Sequence, residues 1–281
     1  MNRISIITIN YNNVNGLKRT IDSVLAQTAQ DFEYIIVDGG SKDGSKELIE
    51  KHDADISSWV SEKDMGIYDA MNKGIAMSHG EYLLFLNSGD CFIDCEVLDK
   101  VNSFIHDNDC DFISGSMIYE DESLGIKTPP EKVSIWYMLT DFLPHPSTFI
   151  KSTLLKKRPY RMDLKIVSDW EQMFYEITKN DATYRKLDLM ISSFDCSGIS
   201  TNEDKTPQNR ERELAVKDII SSRMMKDIET AHQFQNSNQN VLESKYERNV
   251  QFALFRMPTS ISRDLKIMRN SFKMLIKDIF R

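Results

Sequence analysis

Two hydrophobic periods alternate along the first third of the chain. Residues 4–9, Ile-Ser-Ile-Ile-Thr-Ile, are β-branched and short, and they stop at the polar Asn10-Tyr11-Asn12-Asn13. That pattern predicts a buried strand. Residues 17–26 place Leu17, Ile21, Val24 and Leu25 on one helical face. A second strand over 32–37 runs into the turn-rich loop 38–44, Asp-Gly-Gly-Ser-Lys-Asp-Gly. A short helix over 46–52, a short strand over 59–61, a helix over 67–77 and an apolar strand over 82–86 follow. Strands separated by single helices imply right-handed crossovers and a mostly parallel, Rossmann-like central sheet. Ligands of such sheets sit beyond the carboxyl ends of the strands. Here those ends are 10–13, 38–44, 62–66 and 87–90, all polar and three of them carrying carboxylates.

Residues 97–200 are less regular. The pattern predicts a helix over 97–107, a strand over 111–119, a short helix over 135–139 and a loop over 143–150 that enters a strand. A helix over 168–180 starts at Ser168, a good capping residue. A strand over 190–194 precedes Cys196-Ser197-Gly198-Ile199-Ser200. After 201 only helices are expected: 210–231, then 241–255 beyond a Gln/Asn-rich joint, then a last one from about 260 after Pro258. The division expected is a domain over 1–205 and a helical extension over 206–281.

Composition adds bounds. The 281 residues are 41% hydrophobic and 28% charged, which is globular composition with room for a sizeable core. There are 35 basic and 43 acidic residues, a net charge of −8. An acidic total argues against a nucleic-acid binder. The charge is uneven. Residues 256–281 hold seven basic and two acidic residues, so the tail is basic on an otherwise acidic body. Ile261, Leu265, Met268, Phe272, Leu275, Ile276 and Ile279 recur there at steps of three and four. Such a helix lies on an anionic membrane surface, or packs on the core or on a second subunit in a homodimer. The four cysteines form no Cys-x-x-Cys pair and lie at no metal-ligand spacing, so reduced thiols are the simple reading. No apolar run reaches the ~18 residues of a membrane span, and no signal-peptide pattern opens the chain. A cytoplasmic protein, peripheral on the inner face of the cytoplasmic membrane, is the expectation.

Three segments carry candidate chemistry. The loop 38–44 has neither dinucleotide nor Walker spacing. Its Asp38 suits either the N–H of a pyrimidine ring or the capping of its own loop. The stretch 61–74 runs from acidic residues into a helix start, where free N–H groups favour phosphate. Lys73 would add positive charge, or else pair with Asp69 as an exposed i,i+4 ion pair. Leu86-Asn87-Ser88-Gly89-Asp90 ends a very apolar strand, where Asp90 offers an oxygen ligand to a hard divalent cation.

Taken in order, residues 6–12, 37–45, 64–74 and 86–90 resemble the family 2 glycosyltransferases, which are inverting enzymes with the GT-A fold, as in bacterial surface-polysaccharide synthesis. The resemblance runs from Ile4 to about Ser200. It implies a nucleotide-diphosphate-sugar donor, a UDP-sugar first, lying across these loops. Thr8, Tyr11 and Asp38 would hold base and ribose, Asp64 and Lys73 would face the nucleotide, and Asp90 would hold Mn²⁺ or Mg²⁺ on the diphosphate. Asn87 and Gly89 stand where carboxylates are common in this motif.

Inverting transfer needs a base that takes the proton of the acceptor hydroxyl. Ser168-Asp169-Trp170-Glu171 resembles the family's late acidic motif, so Asp169 is the expected base. A first-turn acid favoured by the helix dipole is its plain alternative. His145, fixed between Pro144 and Pro146, is a donor or acceptor contact or a structural loop histidine. Trp170 is an acceptor platform or a core aromatic. Gly198 lies in a segment that can close over the donor. The expected acceptor is a glycan or a polyprenyl-diphosphate-linked oligosaccharide. Two rivals remain. A sugar nucleotidyltransferase would show a Gly-rich basic loop where Asn10–Asn13 stand. A non-catalytic sugar-nucleotide-binding subunit is allowed by Asn87 and Gly89 and disfavoured by Asp90 and Asp169 together.

Overall fold

The computed structural model describes residues 3–198 and 204–233. The last two expected helices, with the basic amphipathic stretch, lie outside the described residues. Two compact units divide the chain, Met1–Ser221 and Ser222–Arg281. Of the second, residues 222–233 are described and are helical.

The first half alternates as expected: β1 Ile4–Asn10, α1 Val14–Leu25, β2 Phe32–Asp38, α2 Ser45–Lys51, β3 Ser58–Ser61, α3 Ile67–Met77 and β4 Tyr82–Phe85. These strands lie side by side in the order β3-β2-β1-β4, all parallel. β1 is buried at every residue because helices cover both of its faces. Ile4 and Ile6 face the core with Leu17, Ile21 and Val24 of α1. On the other face α3 approaches so closely that a Cβ at Gly74 would come within 2.5 Å of Ile7 Cγ2. Each fully buried aliphatic side chain contributes about 1.5–3 kcal/mol.

The second half comprises β5 Cys91–Phe92, α4 Val97–Asp107, β6 Phe112–Tyr119, β7 Ile126–Lys127, α5 Ile135–Thr140, β8 Thr148–Lys151, α6 Ser152–Lys157, α7 Ser168–Lys179, β9 Tyr184–Phe194 and α8 Thr206–Ile219. β8 joins β4 and β6 antiparallel, and β9 runs parallel to β6. One sheet therefore continues across the whole unit, and the residues just after β4, β9 and the start of α7 can share one site.

Four differences from the sequence pattern have local causes. α1 starts three residues early because Asn13 Oδ1 accepts the Gly16 N–H at 3.0 Å and caps it. β9 extends back to Tyr184; its charged, exposed Arg185 and Asp188 mask the alternation around Leu187. The short β5 and β7 and the six-residue α6 carry too few residues to show a period. α8 starts at Thr206 and ends at Ile219, and it packs against α7.

Candidate active site

A cleft of about 630 Å³ opens at the carboxyl ends of β1 and β4. Tyr11, Asp64, Asn87, Asp90, His145, Asp169, Asp195 and Gly198 are among its lining residues. Six of the ten residues expected at the site are thus brought together: Tyr11, Asp64, Asp90, His145, Asp169 and Gly198.

At one end Tyr11 is 66% exposed, so its ring face is open to the cleft's solvent. Gly39 lies against it, and a Cβ there would come within 2.5 Å of Asp64 Oδ2 and 3.1 Å of Tyr11 Cδ2. The absence of a side chain at 39 is what lets the aromatic face and the Asp64 carboxylate share one corner. Asp64 Oδ1 also accepts the Gly66 N–H at 3.0 Å, fixing the turn into α3.

At the centre Asp90 is 3% exposed. Its Oδ1 accepts the backbone N–H of Asp195 at 2.9 Å. Burial, with the nearby Asp195 charge adding to it, pushes its carboxyl up to about 8. The loop is held by Thr20, whose hydroxyl accepts from Gly89 N at 2.9 Å and donates to the Asp90 carbonyl at 2.8 Å. Gly89 has φ +109, and a Cβ placed on it would overlap Asp195 Oδ2. A side chain at 89 and the Asp195 carboxylate therefore exclude one another. The carboxylate missing at position 89 is replaced in space by one from the exit of β9. Two carboxylates lining one cleft are oxygen donors of the kind a hard divalent cation takes, and among the described residues no third His, Cys, Asp or Glu joins them, so phosphate and water oxygens would complete the shell. Sequence proximity could not pair residues 105 positions apart; only the close approach of β5 and β9 does.

At the far wall Asp169 Oδ1 accepts from the Tyr68 hydroxyl at 2.8 Å, and Oδ2 lies 3.8 Å from His145 Nδ1. Tyr68 is held well above its ordinary pKa by burial and by Asp169, so it stays a donor. His145 stacks on Phe85 at 5.1 Å between ring centroids, and its Nε2 is 3.0 Å from the Tyr160 hydroxyl. Burial lowers its pKa and Asp169 only partly offsets this, so the imidazole is neutral at pH 7. His145 is thus a packed, hydrogen-bonded wall of the cleft, placed there by the 3₁₀ turn His145–Ser147.

Four expected residues lie elsewhere. Thr8 is fully buried within the sheet and its hydroxyl donates to the Leu86 carbonyl at 2.7 Å, so it faces away from the cleft. Asp38 is also fully buried. Its carboxylate accepts from Asn10 Nδ2, from Ser41 N and Oγ, and from Ser61 Oγ, at 2.5–2.9 Å. Those four donors fill its acceptor capacity and outweigh burial, which alone would raise its pKa, so it is held low. Lys73 pairs with Glu62 at 2.8 Å and Asp69 at 3.5 Å and does not line the cleft. Among the described residues Lys165 lines it, and the sequence pattern did not mark that residue. Trp170 is 6% exposed, donates to the Met138 carbonyl at 2.9 Å and stacks on Phe174. It lines a neighbouring cavity instead.

Among the described residues no helix is long and apolar enough to cross a membrane. Comparison with known proteins bears on the site as a whole. Residues 5–187 match the profile of glycosyl transferase family 2. An uncharacterized glycosyltransferase of Mycobacterium tuberculosis is 30% identical over 207 residues, which are 72% of this chain and 78% of that one. A PGL/p-HBAD biosynthesis glycosyltransferase of Mycobacterium bovis is 25% identical over 203 residues, 70% of this chain and 78% of that one. The crystal structure of S. aureus TarS 1–349 in complex with UDP-GlcNAc superimposes with TM-score 0.59 at 19% identity, covering 80% of this chain and 69% of that one. With the family profile spanning most of the sheet and the architecture shared, this chain belongs to glycosyl transferase family 2 and is a glycosyltransferase of the GT-A fold.

Proposed function

We propose that this chain is an inverting enzyme that moves one sugar from a nucleoside diphosphate sugar, a UDP-sugar first, to a hydroxyl of a glycan or lipid-linked oligosaccharide. The observation that carries the reading is the position of Asp169. One of its oxygens is fixed by Tyr68, the other lies beside His145, and the residue lines the cleft. In the reaction the acceptor oxygen attacks the anomeric carbon as its proton passes to Asp169 Oδ2. The bond from that carbon to the diphosphate oxygen breaks on the opposite face, and configuration inverts. Tyr68 holds the carboxylate in place and remains protonated throughout.

Tyr11 offers a face for the base, and Asp64 and Lys165 line the same cleft toward ribose and diphosphate. Asp90 and Asp195 would hold Mn²⁺ or Mg²⁺, which when bound neutralises charge on the leaving diphosphate. A fold neighbour in complex with UDP-GlcNAc supports a donor of this class, and a relative named for PGL/p-HBAD biosynthesis supports a role in building a glycosylated product. The tail, 256–281, is proposed to hold the enzyme at the inner face of the cytoplasmic membrane, where a lipid-linked acceptor would be met.

The test is a nucleotide-sugar screen with anomeric assignment of the product by NMR, run on wild type and Asp169→Asn. Inverted product and a loss of about 10²–10⁴ in kcat for the variant, with UDP affinity kept, are expected. Retained configuration, or an active variant, refutes the assignment.

A further inference from the structure

Asp169 borders two cavities. The second, of about 750 Å³, shares His145, Pro146, Ile166, Asp169 and Phe194 with the donor cleft, but neither Tyr11, Asp64 nor Asp90 lines it. Its wall is largely apolar and aromatic, with Tyr119, Phe142 and Trp170 among the rings. Among the described residues three cations line it, Lys127, Lys205 and Arg212, and the last, carried by α8, holds its guanidinium 4.5 Å over the Trp170 ring.

Arg212 is unlike the other arginines near it. Arg158 is bound to Glu171, and Arg161 to Asp163 and Asp218. Arg212 has no carboxylate at ion-pair distance among the described residues. Its hydrogen bond is a long 3.5 Å contact from Nη2 to the Asp141 carbonyl. Its Nε is buried and has no acceptor among the described residues. Desolvation lowers its pKa, and the Asp169 and Asp141 charges, farther off, only partly compensate. The cavity's other acid, Asp141, is taken up by Lys127. A desolvated guanidinium without its counter-ion is costly, and a planar fork of donors suits a bidentate oxyanion.

We propose that this second cavity receives the acceptor and that Arg212 recognises an anionic group on it, a phosphate, diphosphate or carboxylate. The assignment of the cavity to the acceptor rests on Asp169 as the base; the anion preference does not. The aromatic wall supplies faces for sugar rings, and the Arg212 charge fixes which end of the acceptor enters. Neutral glycans of the same size then bind more weakly than charged ones.

The test is calorimetric titration of the full chain with UDP and Mn²⁺ present, using glucose 1-phosphate, methyl β-glucuronide and methyl β-glucoside as probes. At least one anionic probe is expected to bind about 10-fold or more tightly than the neutral glucoside. The phosphate and carboxylate arms tell which oxyanion is meant. Arg212→Gln is expected to erase that preference, and Arg212→Lys to keep part of it, with UDP affinity unchanged in both. No anionic preference in the wild type, or a preference that survives Arg212→Gln, overturns the proposal. UDP binding is read first and reports on the donor reading alone; the anion preference is measured in either case.

Discussion

Removing the Asp38 side chain separates two roles that the sequence left open for it. In the structure the carboxylate is the hub of the loop after β2, accepting from Asn10, from Ser41 twice and from Ser61. Asp38→Ala leaves those donors facing a void. The two hydroxyls can turn elsewhere, but the Ser41 N–H is fixed by the chain and the Asn10 amide is buried. At about 1–3 kcal/mol for each of these two donors, the loss is about 2–6 kcal/mol. For a unit of this size that is roughly a 10 °C drop in Tm. Asp38→Asn should cost less than half as much, because the Asn10 amide can turn over and present its unpartnered Oδ1 to the new NH₂. The effect carries a pH signature. The folded carboxyl sits below its ordinary 3.8, so its stabilisation is fully present above that value and is lost as pH falls through the folded pKa. Urea denaturation at pH 7 and near pH 3 should therefore show the wild type and Asp38→Ala converging in acid. UDP titration of folded Asp38→Ala should show affinity kept within a few fold, whereas Tyr11→Ala should weaken UDP binding without lowering Tm. Unchanged stability at pH 7 together with lost UDP affinity would refute the reasoning and make Asp38 a base-reading residue.

Further outcomes follow from the same geometry. Asp195→Asn keeps the shape beside Gly89 but removes the second carboxylate, so Mn²⁺ affinity, read by electron paramagnetic resonance on the free protein, should fall about 10-fold or more. Equal affinity would leave Asp90 as the sole protein carboxylate at the metal. Removal of 256–281 should lower co-sedimentation with anionic liposomes at low salt, with UDP binding intact; undiminished liposome binding would refute the membrane role of the tail.

The amino-acid sequence by itself determined the order of elements through β4 and the side of the sheet on which chemistry falls. Fully apolar runs such as 4–9 can be satisfied only between two helical layers, and polar residues collect where those runs stop. It also marked Tyr11, Asp64, Asp90 and Asp169, because each sits at an element boundary that a short motif labels. Tertiary structure decided what each of these residues faces. Whether Thr8 points into the cleft or the sheet depends on the pleat, and whether Asp38 is spent on its own loop depends on Ser61, which arrives from the neighbouring strand. Lys73 is claimed by Glu62 from the preceding loop, and Trp170 turns to a second cavity through its bond to Met138. Asp195 reaches the place of the missing carboxylate because β9 ends beside the β4 exit, and Arg212, with no counter-ion among the described residues, is brought beside Trp170 by the packing of α8 on α7. Such pairings join residues tens to a hundred positions apart, where local periodicity carries no information and the packing of elements sets the contact.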